Sequence, residues 1–176
     1  MNRKLIIMRH AKSAWDTDAV SDFERPLAKR GLQDAPRMGE WLSDQGVIPD
    51  FIVSSPALRA KQTILEVCKV LDIKKKAVQW DARIYGAGTE ELLEVLSEVP
   101  KQTGIAMIVG HNPGLEMLFS HLVRHAMEMP GLDEWGEAGV IKTATIAYLE
   151  TPNDWQHLTP GCAKLLNLIS PRQLSE

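Results

Sequence analysis

Leu5-Ile6-Ile7-Met8-Arg9-His10-Ala11-Lys12-Ser13 governs how the rest of the chain is read: an apolar run stops abruptly at an arginine, a histidine and a lysine. No polar residue interrupts Leu5 to Met8, so both faces of the segment ask to be buried. That suits a central parallel strand and not an edge strand. Strands of this kind present ligands at their carboxyl ends. Arg9 brings a planar fork that matches phosphate oxygens, and His10 brings a nucleophilic nitrogen. Lys12 and Ser13 add donors. The segment reads as a strand delivering a nucleophile to a phosphate pocket. Taken alone, it fits a strand running into a solvated basic loop at least as well, and later stretches must decide.

A chain of 176 residues, 44% of them apolar, can bury one sizeable core, so one compact domain over residues 1–176 is expected. A net charge of −3 gives no general attraction to nucleic acid or to an anionic membrane, so any anion site is local. Cys68 and Cys162 are too few and too separate for a disulfide framework or a zinc motif, and read as reduced core residues. The amino-terminal apolar run meets Arg9 too soon for a signal peptide, and no apolar run reaches membrane-spanning length. A cytoplasmic protein is the expectation.

Along the chain, Ala14 to Arg25 is a polar loop with Asp16, Asp18, Asp22 and Glu24. A helix follows from Ala28 to Asp44, with Leu32, Ala35, Met38, Gly39 and Leu42 at helical spacing, Pro36 able to kink it and Gly46 as its C-cap. Asp50 to Ser54 is a short buried strand. Ser54-Ser55-Pro56 reads as a helix start with a serine cap, after which Ala60, Ile64, Val67, Cys68 and Leu71 stripe one face. The pattern then predicts a strand at Ala77–Trp80 and a loop at Arg83–Gly88. A helix capped by Thr89 follows, with Leu92, Leu93 and Leu96 inside. Ile105–Val109 is a second fully apolar strand, ending in Gly110-His111-Asn112-Pro113-Gly114 before a helix that turns Leu115, Leu118, Phe119 and Leu122 inward. Gly139–Leu149 and Trp155–Leu168 read as two more strands, after a Pro/Gly-rich linker at Pro130–Gly136. Strands alternating with helices indicate an α/β three-layer sandwich around a mostly parallel sheet.

In a parallel sheet the strand ends converge on one rim. Arg9 and His10 follow the first strand. Ser54 and Ser55 follow the second, with Arg59 in the first turn of the next helix, where the dipole and free N–H groups also favour an anion. His111 follows the third strand, again just before a helix. Two arginines, two histidines and two helix N-termini would surround one point, and a dianionic phosphoryl group is the ligand that uses them all. Each signal is weak singly, and the combination on successive strand ends is far more specific.

At these residues the chain resembles the histidine phosphatase superfamily, and within it the short phosphohistidine phosphatases related to bacterial SixA. The resemblance rests on Arg9-His10-Ala11-Lys12-Ser13, on Ser54-Ser55-Pro56-Ala57-Leu58-Arg59-Ala60-Lys61-Gln62-Thr63 and on Val109-Gly110-His111-Asn112-Pro113-Gly114. Glu24-Arg25-Pro26-Leu27 and Gly31 fit the same branch, so it spans nearly the whole chain. It implies the phosphoglycerate mutase-like α/β/α fold, no cofactor or metal, and a role in signal transduction. His10 would accept the phosphoryl group, Arg9, Arg59 and His111 would bind its oxygens, and Lys12, Ser13 and Asn112 would contribute substrate contacts. The substrate would be a phosphohistidine-bearing protein or a small phosphorylated molecule.

Two positions depart from the superfamily pattern. Ala11 stands where glycine usually follows the histidine. Ala82-Arg83-Ile84-Tyr85-Gly86 looks like the mutase segment, yet Ala82 occupies the place of the glutamate that donates a proton. Asp81, Glu90 and Glu91 are the nearby carboxylates to consider in its stead. A small-molecule phosphatase or mutase, and a phosphate-binding module without turnover, are the competing readings. His121 and His125 are four apart on a helix, a spacing that can bind metal, but no third ligand accompanies them. Trp15, in the loop beside the site, is the tryptophan placed to line a substrate groove.

Overall fold

The computed structural model describes residues 2–123 and 140–174. The central sheet has six strands: β1 (Arg3–Arg9), β2 (Phe51–Ser54), β3 (Val78–Trp80), β4 (Ile105–Gly110), β5 (Ile146–Thr151) and β6 (Lys164–Ile169). Their order is β3-β2-β4-β1-β5-β6. The first four in that order are parallel, whereas β5 runs antiparallel to both β1 and β6, which makes the sheet mixed at one edge. Among the described residues four α-helices cover it: α1 (Lys29–Asp44), α2 (Leu58–Leu71), α3 (Thr89–Ser97) and α4 (Gly114–Leu122).

Period-two alternation explains why Leu5 to Met8 are all apolar. Leu5 and Ile7 enter the core beneath α3 and α4, while Ile6 and Met8 enter the core beneath α1 and α2. In β4, Ala106 and Ile108 join the first core, and Met107 and Val109 the second. The three-layer α/β/α sandwich follows directly. No helix among the described residues is long and apolar enough to cross a membrane.

Several local expectations are corrected. Helix α2 begins at Leu58, not at Pro56, and Ser55 serves it only by accepting the Ala57 N–H at 3.2 Å. The cap of α3 is Gly88, with Thr89 the first helical residue. Leu32 faces solvent on α1, and Gly31 and Asp34 lie on the buried face in its place. Gly31 must lack a side chain, because a Cβ there would sit 2.2 Å from the Lys12 carbonyl oxygen. Helix α1 runs through Pro36 and ends beside Gly46, whose φ of 67° is the left-handed conformation expected after a helix. The last two strands are shorter than the apolar pattern predicts: residues 140–145 precede β5 as a non-strand segment, and Trp155 is a buried core residue before β6. The Pro130–Gly136 linker, Trp135, Gly139 and His125 lie outside the described residues. Both cysteines are free thiols, Cys68 buried and Cys162 half-buried.

Candidate active site

Strand register sets the geometry. Arg9 pairs with Gly110 across β1 and β4, and Ser54 pairs with Val109 across β2 and β4. His10 and His111 follow the first pair and Ser55 follows Ser54, so all three stand at the carboxyl ends of three adjacent parallel strands, with Ser55 level with Arg9 and Gly110. The ring centroids of His10 and His111 are 5.1 Å apart, and His111 Nε2 lies 2.8 Å from Ser55 Oγ. The His10 main chain is held on both sides: its N–H donates to the Gly110 carbonyl at 3.0 Å, and its carbonyl accepts from the Ala144 N–H at 3.0 Å.

The His10 ring has one defined orientation. Nδ1 lies 2.8 Å from the Ala11 carbonyl oxygen, which only accepts, so Nδ1 carries the proton. In the neutral ring the Nε2 lone pair is then free. Burial pushes the His10 pKa down to about 3, with His111, Arg59 and Arg9 pushing the same way against the Ala11 hydrogen bond. His111 is pushed down to about 4, first by burial and then by Arg59. Both rings are therefore neutral near pH 7.

Arg9 donates from Nη1 to the Ile141 carbonyl at 3.2 Å, and Asn112 Nδ2 donates to the same oxygen at 2.7 Å. Glu116 fixes that turn by accepting the Val140 and Ile141 N–H groups. Arg9 Nε and His111 Nδ1 are buried without a hydrogen-bond partner, as is Asn112 Oδ1. Buried polar atoms are rarely left unmet, and an anion would satisfy the donors among them. Arg59 is buried in the first turn of α2, and Thr63 bridges it to the His10 loop: Oγ1 donates to the Arg59 carbonyl at 2.7 Å and accepts from the Ala11 N–H at 2.9 Å.

The remaining expected donors are placed differently. Ser13 Oγ accepts from Arg25 Nη2 at 2.6 Å, and the Lys12 side chain is exposed. Trp15 is 75% exposed and lies on Arg25, with the guanidinium carbon 3.4 Å from the ring centroid. His121 Nε2 lies 3.1 Å from the Leu158 carbonyl oxygen, a contact that ties α4 to the loop before β6.

The carboxylates considered as proton donors have other partners. Asp81 caps the turn at Ala82 and takes three side-chain hydrogen bonds from Arg83, which hold it below the usual carboxylate range. Glu91 accepts the Gly88 N–H at 3.0 Å at the start of α3, and Glu90 is exposed on the same turn.

One cluster joins three of the quoted stretches, through Arg25, Arg59 and Tyr85, around Asp22, which none of them contains. Asp22 Oδ2 accepts from Tyr85 Oη at 2.6 Å and from Arg59 Nη2 at 3.0 Å, and Asp22 Oδ1 accepts from Arg25 Nη1 at 2.9 Å. Its main-chain oxygen takes Arg59 Nη1 at 2.7 Å. The hydrogen bond from Tyr85, then those from Arg25 and Arg59, hold Asp22 far below the ordinary carboxylate range. The i,i+3 spacing of Asp22 and Arg25, beside a stretch that already fits the family pattern, was the signal available for it.

A family model described as histidine phosphatase superfamily (branch 1) matches residues 5–85. The phosphohistidine phosphatase SixA of Escherichia coli K12 is 31% identical over 121 residues, 68% of this chain and 73% of that protein. The structure of a putative phosphohistidine phosphatase SixA from Nakamurella multipartitia superposes with a TM-score of 0.78 at 29% identity, covering 97% of each chain. That of a protein histidine phosphatase SixA complexed with tungstate gives 0.77 at 25% identity, covering 98% of this chain and 99% of that one. At this degree of identity, coverage and structural similarity, the chain belongs to the histidine phosphatase superfamily, in its SixA-like branch of phosphatases.

Proposed function

We propose that this chain hydrolyses phosphohistidine without a metal, through a covalent phosphoryl intermediate on His10. The observation that carries the proposal is the His10 ring: buried, neutral, its Nδ1 proton given to Ala11 and its Nε2 lone pair free beside donors that lack acceptors. Nε2 attacks phosphorus and the bond to the leaving group breaks. The Nδ1–H stays on the Ala11 carbonyl throughout, so the phosphorylated ring is a cation, ready to leave when water attacks. Arg9, Arg59 and His111 hold the phosphoryl oxygens, with His111 donating from Nδ1 when the Ser55 hydroxyl donates to Nε2. Asn112 and Ser13 act by position, the one on the turn that holds Arg9 and the other on Arg25. Lys12 stands at the edge. Tungstate is an oxyanion of phosphate-like shape, and a SixA protein complexed with it supports an oxyanion pocket here.

The choice of phosphohistidine over an ester follows from the leaving group. An alkoxide needs a proton, and a positioned acid typically supplies about 10²–10⁴-fold of the rate. Ala82 has none to give, while Asp81 and Glu91 are engaged elsewhere. A phosphoimidazole can take a proton from solvent at its other nitrogen and leave neutral. The relatives named as phosphohistidine phosphatases point the same way. The test compares kcat/KM for a phosphohistidine peptide, an aryl phosphate and an alkyl phosphate, with EDTA present. Phosphohistidine is expected to be highest and the alkyl ester lowest. An alkyl ester equal to phosphohistidine, or inactivation by EDTA, overturns the proposal.

A further inference from the structure

Asp22 is an anion at an anion-binding site, and that needs a reason. Its carboxylate sits on Arg59, a residue assigned above to the phosphoryl group, where a fixed negative charge disfavours any incoming dianion. It is not there by accident of a loose side chain. Arg25 is buried and reaches Asp22 Oδ1 while also bonding Ser13 Oγ and the Ala14 carbonyl, and Tyr85 comes from the opposite loop. The side chain of Asp22 is nevertheless 51% exposed, against 8% for Arg59, so the carboxylate caps the pocket on its solvent side.

Phosphoryl transfer runs with attacking and leaving atoms roughly in line. The attacking Nε2 comes from the buried strand end, so the leaving group lies on the open side, and the exposed side chains that meet Arg59 and His111 are Asp22, bonded to Arg59, and Tyr85, which joins Asp22, Phe23 and His111. Phe23 and Tyr85 form an edge-to-face pair with centroids 5.1 Å apart, and Tyr85 is likewise edge-to-face with His111 at 5.4 Å. An ionised carboxylate has about four lone-pair sites. Side chains fill two on Oδ2 and one on Oδ1, which leaves one site on Oδ1. An ester or aryl leaving group has no proton to offer it. A phosphoimidazole protonated at its far ring nitrogen has one, along with a positive charge that aromatic rings also favour.

We infer that Asp22 is a specificity-determining residue, whose free Oδ1 site accepts the N–H of a protonated phosphoimidazole and so selects phosphohistidine against phosphate esters. The inference rests on the reading of His10 as the nucleophile. The proton enters from solvent at the substrate nitrogen remote from phosphorus. The His10 Nε2–P bond forms as the P–N bond breaks, the electron pair of that bond stays on the departing nitrogen, and imidazole leaves neutral with its N–H on Asp22. Asp22 takes no proton. Its role toward the substrate ring matches the role of the Ala11 carbonyl toward His10, with a charge added.

The test measures kcat/KM of wild type, Asp22→Asn and Asp22→Glu on a phosphohistidine peptide and on 4-nitrophenyl phosphate. Asp22→Asn is expected to lower the phosphohistidine value about 10- to 100-fold, the range for loss of one charge-assisted hydrogen bond. The same change is expected to raise the aryl phosphate value, since a competing negative charge is gone. Asp22→Glu should recover part of the preference. A parallel fall on both substrates would make Asp22 a support for Arg59 alone and overturn the inference, as would an unchanged ratio. A wild type without preference for phosphohistidine would instead overturn the proposed function, so the two failures are distinguishable.

Discussion

The floor and the mouth of the pocket draw on different kinds of structure. Arg9, His10, Ser55 and His111 stand at the ends of three hydrogen-bonded parallel strands, and the register of those strands alone brings them together. Trp15, Asp22, Phe23, Arg25 and Tyr85 hang on two connecting segments, joined by side-chain hydrogen bonds and ring contacts. A floor fixed by backbone suits chemistry that needs one geometry. A mouth fixed by side chains can change with a few substitutions, which suits the choice of substrate. Variants of the floor should therefore remove rate on every substrate, and variants of the mouth should change the order of substrates.

The sharpest break is His10→Ala. Without a nucleophile no phosphoenzyme forms, and turnover of phosphohistidine and aryl phosphate alike should drop by at least about 10³-fold, with far-UV circular dichroism unchanged. In wild type the trapped label should be labile to acid and stable to alkali, as expected for a phosphoramidate. A label that survives in the His10→Ala protein moves the nucleophile elsewhere.

A second test separates the two arginines by their surroundings. Arg9→Ala and Arg59→Ala should each cost roughly 10- to 100-fold in inhibition by inorganic phosphate or in rate, the consequence of losing one charge-assisted partner worth about 1.5–3 kcal/mol. They should differ in selectivity. Arg9 belongs wholly to the floor, bonded to the Ile141 carbonyl, so its loss should scale all substrates together. The Arg59 guanidinium makes two hydrogen bonds to Asp22, so its loss should also release the mouth and alter the ratio of phosphohistidine to aryl phosphate. Equal scaling in both variants would erase the distinction between floor and mouth.

The same division governs what was legible in the sequence. Apolar runs that end in charged residues reveal both the strands and what their ends carry, so Arg9, His10, Arg59 and His111 could be gathered from the order of residues alone. Hydrophobic period could not show that β5 runs antiparallel, because Ile146, Ala147 and Leu149 are buried as they would be in a parallel strand. It also misplaced Leu32, since Gly31 and Asp34 occupy the buried face for reasons of close approach and pairing with Arg30 and Arg37, not hydropathy. Beyond Trp15, the mouth was illegible for a different reason. Asp22 and Tyr85 are 63 residues apart and meet only through tertiary structure, and a polar loop looks the same whether its carboxylates are solvated or fixed.

The gentlest probe of floor against mouth is acid, because the two regions titrate in different windows. His10 and His111 are neutral in the folded chain, with pKa values pushed from 6.5 down to about 3 and about 4, whereas in the unfolded chain they titrate near 6.5. Above pH 6.5 neither form carries the extra protons and stability is unaffected. As pH falls below 6.5 the unfolded state binds up to two protons that the folded state refuses, so stability should decline with a slope approaching about 2.7 kcal/mol per pH unit near pH 5. The mouth behaves otherwise. Asp22 is depressed from 3.8, so its contribution is fully present above that value and is lost only as pH falls further. Urea unfolding between pH 7 and 4.5 should therefore lose about one proton of slope in His10→Gln and none in Asp22→Asn. A flat profile for wild type over that range would mean that the floor histidines take up protons in the folded state, and His10 would then lack its free lone pair at the acid end.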